Sequence, residues 1–307
     1  MSTEPKAARG SHVSRILTIA FHAFTQLARM KVFYFLAVFA LILIASNFFN
    51  LVEQLSPESV GANVLRAIKS HSLGAMTLFA VIISIVATAL LLPKDIEDRT
   101  LYTILAKPVP RVDYLAGKLL GVLLLVFVSL ALMDLLMVAV LQIRTHMVVA
   151  QQEAMAQAMN WPKEAMDSLR AETLASGVNW SLQGAVLAVF LKASIMASLA
   201  LLISTFSTST LFTTIISFLV YFIGHFQADA REVYMQAGEA GTGMIARVIS
   251  LMVALVMPDF QLFNIIDAII EGQLMPLGLM CKLAMVALYY ALFFIAASWW
   301  VFSDKEF

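Results

Sequence analysis

Apolar residues along this chain fall into long unbroken blocks, not the alternation of a strand or the narrow stripe of a surface helix. Crossing the hydrocarbon of a bilayer takes about 20 mostly apolar residues, since each adds about 1.5 Å to a layer of roughly 30 Å. Six blocks predict crossing helices: Val32 to Phe49, Leu73 to Leu92, Leu119 to Leu141, Leu182 to Ile203, Thr208 to Phe226 and Leu283 to Phe302. The second holds no charge, the third only Asp134, and the fourth Lys192. Only Ser204-Thr205-Phe206-Ser207 separates the fourth from the fifth, so these two read as a tight helical hairpin. Trp299 and Trp300 stand where an interfacial aromatic anchor belongs. A further apolar run, Met244 to Met257, is broken by Arg247 and stopped by Pro258. At about fourteen residues it is too short to cross and reads as a re-entrant segment.

Composition agrees with the pattern. Of 307 residues, 61% are hydrophobic and 13% charged, with a mean hydropathy of +0.88. A soluble domain carries about a quarter charged residues, so an ordinary water-soluble enzyme is excluded and the fold expected is an all-α integral membrane protein. The single cysteine, Cys281, leaves no intrachain disulfide and no Cys-based zinc or iron-sulfur site. Twenty Lys and Arg balance twenty Asp and Glu, so there is no overall basic footprint for nucleic acid.

Charge placement sets the orientation. The arm 1–31 holds Lys6, Arg9, Arg15, Arg29 and Lys31, and the loop after the second span holds Lys94, Arg99, Lys107, Arg111 and Lys118. The longer loops of the opposite side share Arg66, Lys69, Arg144, Lys163, Arg170, Arg231, Arg247 and Lys282 more thinly. The positive-inside rule then puts the first side, with both termini, in the cytoplasm; the location expected is a plasma (bacterial inner) membrane. The apolar run from Val32 is too long for the core of a cleaved signal peptide, and no small-residue cleavage site follows it.

Outside the spans, Ser14 to Lys31 places Ile16, Ile19, Ala20, Ala23, Phe24 and Leu27 at helical spacing, with Arg15, His22, Gln26 and Arg29 mainly opposite. That is an amphipathic helix for the cytoplasmic membrane surface. The loop Gln142 to Ser181 has helix-forming composition, a break at Trp161-Pro162 and an end at Ser176-Gly177, and reads as an extracytoplasmic helical hairpin.

The most informative stretch is Pro93 to Lys118, PKDIEDRTLYTILAKPVPRVDYLAGK. Pro93 is expected to end span two, and Lys94, Asp95, Glu97, Asp98 and Arg99 follow at the membrane surface. Thr100 to Ala106 allows about two helical turns with Leu101, Ile104 and Leu105 on one side, before Pro108 and Pro110 force an elbow. A short helix held between two spans by prolines can transmit a push. A Gly/Ser linker cannot.

This stretch resembles the type-2 ABC-transporter permease family, whose loop pattern E-x-R-T-L-x-x-x-L-A-K-P-V-x-R-x-x-Y-L-x-G-K is met by Glu97, Arg99, Thr100, Leu101, Leu105, Ala106, Lys107, Pro108, Val109, Arg111, Tyr114, Leu115, Gly117 and Lys118. Many members of the wider family carry Gly where Arg99 stands. Two weaker echoes are Tyr221-Phe222-Ile223-Gly224-His225 and Pro258-Asp259-Phe260-Gln261-Leu262-Phe263-Asn264. The resemblance implies a permease, homodimeric or heterodimeric, on separate ATPase subunits whose ATP-driven closure pushes the loop helix and the N-terminal amphipathic helix. Glu97, Arg99, Thr100, Leu101 and Leu105 would form the contact surface and Lys107 to Arg111 the lever. The chain holds no G-x-x-x-x-G-K-[ST] loop, since Gly117-Lys118 runs into Leu119. ATP therefore belongs to a partner chain, and no cofactor or metal is expected on this one.

Asp134 and Lys192 each cost roughly 2.5 to 3.5 kcal/mol at a bilayer centre, so both should face protein; an interhelical ion pair that fixes span packing is the expectation, and a proton or substrate pathway the alternative. Met133, Met137, Met147, Met155, Met159 and Met166 gather with His146 near the outer end of span three, as apolar filler or as handlers of a soft cation. Gly117 and Gly121 form a small-x-x-x-small pair suited to close approach by a neighbour. An intramembrane enzyme is disfavoured, because H-E-x-x-H, G-x-S-x-G and a paired set of membrane carboxylates are all missing. A passive scaffold or assembly subunit fits the same layout and stands as the alternative to an exporter. No residue names the substrate.

Overall fold

The computed structural model describes residues 12–46, 62–97, 110–207, 209–238 and 257–303. Among them there is no strand. The helices are α1 (His12–Ala28), α2 (Lys31–Ser46), α3 (Ala62–Glu97), α4 (Arg111–Ala158), α5 (Lys163–Ala175), α6 (Trp180–Phe206), α7 (Thr210–Gly238), α8 (Ile266–Ile270) and α9 (Leu277–Ser303), with one 3₁₀ turn at Gln261–Phe263. Four of them, α3, α4, α6 and α9, are long and apolar enough to cross a membrane.

The centre of the bundle is α3, α4 and α6, with α2, α7 and α9 around it. Small residues make the centre tight: Ala185, Ala188, Ala193, Ala197, Ala200, Ser194 and Ser198 are buried along α6. Buried hydroxyls bond back to their own helix, Thr88 to Ser84 O at 2.7 Å and Ser194 to Phe190 O at 2.8 Å, so no polar partner from water is needed. On the outside, Leu120, Leu124 and Phe127 of α4, Leu211, Ile215, Leu219 and Phe222 of α7, and Leu288 and Leu292 of α9 are exposed. A belt of that kind is what lipid covers.

Two expectations are corrected by the helices. Pro93 does not end span two, because α3 runs through it to Glu97. Proline forfeits one backbone hydrogen bond there, but the continued turn carries Asp95 to partners on α4. Next, the first arm of the loop after span three is no separate helix: α4 continues to Ala158 over 48 residues, about 72 Å at 1.5 Å per residue. The chain then turns through Asn160, at φ +50°, and Trp161-Pro162, the break expected, and α5 returns along α4 with Thr173 Oγ1 donating to Gln152 Oε1 at 2.7 Å. The close approach expected at Gly117 and Gly121 is made by α1. A Cβ on Gly121 would stand 2.6 Å from Ala23 Cβ and 2.7 Å from Ala20 O, and one on Gly117 would stand 2.7 Å from Ile19 Cβ.

Helix α1 therefore turns its Ala20, Ala23 and Leu27 stripe onto α4. Val13, Leu17 and Phe21, one turn apart on another side, stay exposed. The run Met244 to Val256 and the connector 98–109 lie outside the described residues, and with the connector go Arg99, Thr100, Leu101, Leu105, Lys107 and Pro108. Glu97 is the last residue of α3.

Candidate functional site

The first residues of α4 form a junction at which four helices are tied. Asp95, near the end of α3, offers Oδ2 to Tyr114 Oη at 2.5 Å and to Lys118 Nζ at 2.6 Å. Residues 95 and 118 are 5% and 3% exposed, so this is a buried ion pair with a third, neutral hydrogen-bonding member. Lys118 Nζ also lies 5.7 Å from the Tyr114 ring centroid. A carboxylate near a helix C-terminus opposes the helix dipole, and the ammonium from α4 offsets it.

One residue before Tyr114, Asp113 sits in the first turn of α4, where the dipole favours an acid. Its Oδ2 lies 3.0 Å from His12 Nδ1 and 3.3 Å from Arg15 Nε, which holds the start of α1. The Arg15 contact is ionic, since its Nε lacks hydrogen-bond alignment. Arg111 points the other way and donates through Nη1 to the carbonyls of Phe302, at 2.5 Å, and Ser303, at 2.8 Å. Both are backbone carbonyls in the last described turn of α9, natural acceptors for a guanidinium. Its Cζ stands 5.7 Å from the Phe302 ring, which stacks on Tyr114 at 6.2 Å.

The two ends of the undescribed connector, Glu97 and Pro110, thus leave a frame already closed by Asp95, Tyr114 and Lys118. Gly117 and Lys118 are buried in that frame and present no surface to a partner. The start of α1 and the end of α9 meet at the same junction.

Deeper in the bundle, Asp134 and Lys192 do not come together. Asp134 Oδ1 accepts from Gln183 Nε2 at 3.2 Å, and Lys192 Nζ lies 3.3 Å from His225 Nε2. The register explains it. With residue 134 opposite residue 183 on antiparallel helices, Lys192 falls nine residues away, about 13 Å at 1.5 Å per residue. Counting instead from the turn at 207–209, Lys192 lies fifteen residues before Ser207 and His225 sixteen after Ser209, nearly level on the two arms of the hairpin, a signal present in the sequence.

His225 is held on several sides. Its Nδ1 lies 3.1 Å from Tyr221 O, its ring centroid is 4.4 Å from Tyr221 and 5.7 Å from Phe260, and its carbonyl accepts from Gln261 Nε2 at 2.8 Å. Phe260 N donates to Gly224 O at 3.2 Å. A Cβ on Gly224 would stand 2.6 Å from the Phe260 ring, so only glycine admits this crossing. The two weak sequence echoes, 221–225 and 258–264, are therefore one packed unit. From there the chain returns to Met275, whose N donates to Ser181 Oγ at 3.3 Å near the start of α6. That is eleven residues from Lys192, about 16 Å along the helix at 1.5 Å per residue.

Among the described residues, no group of three or more His, Cys, Asp or Glu side chains is placed to hold a metal ion. Compared with known proteins, the chain matches no family model and no curated relative.

Proposed function

We propose that this chain is the transmembrane permease subunit of an ATP-driven ABC transporter, an exporter whose connector 98–109 docks on a separate ATPase chain. The observation that carries the reading is the junction beneath that connector. Force applied to 98–109 reaches Asp95 on α3 and Tyr114 and Lys118 on α4 through a buried ion pair, α1 through Asp113, and α9 through Arg111. A solvated loop serving only to set topology needs no such frame.

The finer layout in this reading is six crossings, made by α2, α3, α4, α6, α7 and α9. It is supported by the meeting of α1 and the end of α9 on one side, which requires an even number. The described part of the stretch before α9 runs from Phe260, beside Gly224, back to Met275, beside Ser181, which suits a re-entrant segment better than a seventh crossing. Both ends then lie in the cytoplasm of a bacterial inner membrane, α1 rests on its inner surface, and the α4–α5 hairpin stands outside. A second permease chain completes the unit.

Co-expression with an ABC ATPase chain from the same genome tests the proposal. The expected result is a stoichiometric complex in which ATP turnover depends on this chain and falls when Glu97 and Arg99 exchange charges. A chain that purifies without an ATPase, or whose charge exchange leaves turnover untouched, would instead be the scaffold.

A further inference from the structure

Lys192 lies midway along α6 and is 5% exposed. Its polar partner is an imidazole whose protonation its neighbours decide. Tyr221 O can only accept, so His225 Nδ1, 3.1 Å away, carries the proton and donates. His225 Nε2 then holds a bare lone pair and accepts from the ammonium at 3.3 Å. An imidazolium at that distance would oppose a second cation. The pair therefore carries one positive charge, and two of the three ammonium hydrogens are left without a partner in the pair.

Among the described residues no carboxylate forms an ion pair with Lys192. Asp134 is spent on Gln183, and Asp259 turns Oδ1 to Gln261 N at 2.9 Å; its charge acts on His225 but it makes no ion pair with Lys192. A cation in hydrocarbon without a counter-charge is costly, and a methionine would pack the same volume without that cost. The imidazole edge is half exposed, and Phe222 and Phe226 of the same helix are exposed beside it, an apolar flank next to a single charge.

We propose that Lys192 and His225 form a recognition point for one anionic group, a phosphate or carboxylate, on an amphiphilic molecule held in the membrane domain. Its meaning as cargo rests on the permease reading; the binding itself does not. The ammonium supplies the charge and two hydrogen bonds. His225 fixes its direction, and Tyr221 and Phe260 fix His225.

The test uses the full chain, purified alone in a neutral detergent, with dioleoyl phosphatidic acid, oleate and dioleoyl phosphatidylcholine as probes in native mass spectrometry. The wild type is expected to retain the two anionic probes over phosphatidylcholine. Lys192→Met should weaken them by about tenfold or more, the scale of one charge-assisted contact, while Lys192→Arg keeps most of the preference. Lys192→Gln keeps a donor for His225 and guards against misfolding, yet should lose the preference as Met does. Displacement by 10-fold excess inorganic phosphate identifies a soluble anion as the ligand, and its failure identifies a lipid headgroup. Equal retention by wild type and Lys192→Gln overturns the proposal. No ATPase is present, so this result and the test of coupling can fail separately.

Discussion

Breaking the Asp95–Lys118 pair from either side should destabilise the chain, and removing both charges should restore most of the loss. At 2.6 Å and an effective dielectric near 20, the attraction is about 6 kcal/mol. Withdrawing both ions from water costs several kcal/mol each, so the net value of the intact pair is small. Asp95→Asn leaves a buried ammonium facing a neutral amide, and Lys118→Met leaves a buried carboxylate without its ammonium. Each is expected to cost about 3 to 5 kcal/mol. The double variant strands no charge and should cost at least about 2 kcal/mol less than the sum of the singles. Equilibrium unfolding in mixed micelles, followed by far-ultraviolet circular dichroism, reads all four corners of the cycle. Additive losses, or singles within about 0.5 kcal/mol of the wild type, would refute a buried pair and with it the frame under the connector.

Gly121→Ala puts a Cβ 2.6 Å from Ala23 and should push α1 off α4 at a cost of about 1 to 3 kcal/mol, visible as a lower melting temperature and faster proteolysis within 12–28. Asp113→Asn loosens His12 and Arg15 together; because His12 is largely exposed, the loss should stay within about 1 kcal/mol and show as faster hydrogen exchange at the start of α1 alone. Asn179 caps α6 by accepting from Leu182 N at 3.0 Å, so Asn179→Ala should cost about 1 kcal/mol in the same unfolding assay.

How much of this was legible beforehand depended on the distance over which the signal acts. Helix positions follow from apolar blocks, and the turn at Trp161-Pro162 from local chemistry, so both could be read directly. Pro93 misled because the local rule against proline in a helix was outweighed by tertiary bonds to Asp95, which no local pattern reports. The small-residue pair at Gly117 and Gly121 announced a close approach but not by which helix, since glycine spacing describes one surface only. The same limit produced the wrong partner for Lys192. Two charges on adjacent spans invite pairing, but their height depends on register, and only the near-symmetry of the hairpin about its turn at 207–209 pointed to His225. The ties from Asp113 to α1 and from Arg111 to α9 join residues about 100 and 190 positions apart, beyond what periodicity can carry.

The most direct test of the central claim asks which side of the membrane the connector occupies and whether a motor covers it. Cys281 is exposed, so the background is Cys281→Ala, with Leu101→Cys as the reporter. The account predicts labelling by a membrane-impermeant maleimide from the cytoplasmic face alone, and shielding when the ATPase chain is added. Labelling from the outer face, or equal labelling with and without the ATPase, would contradict it.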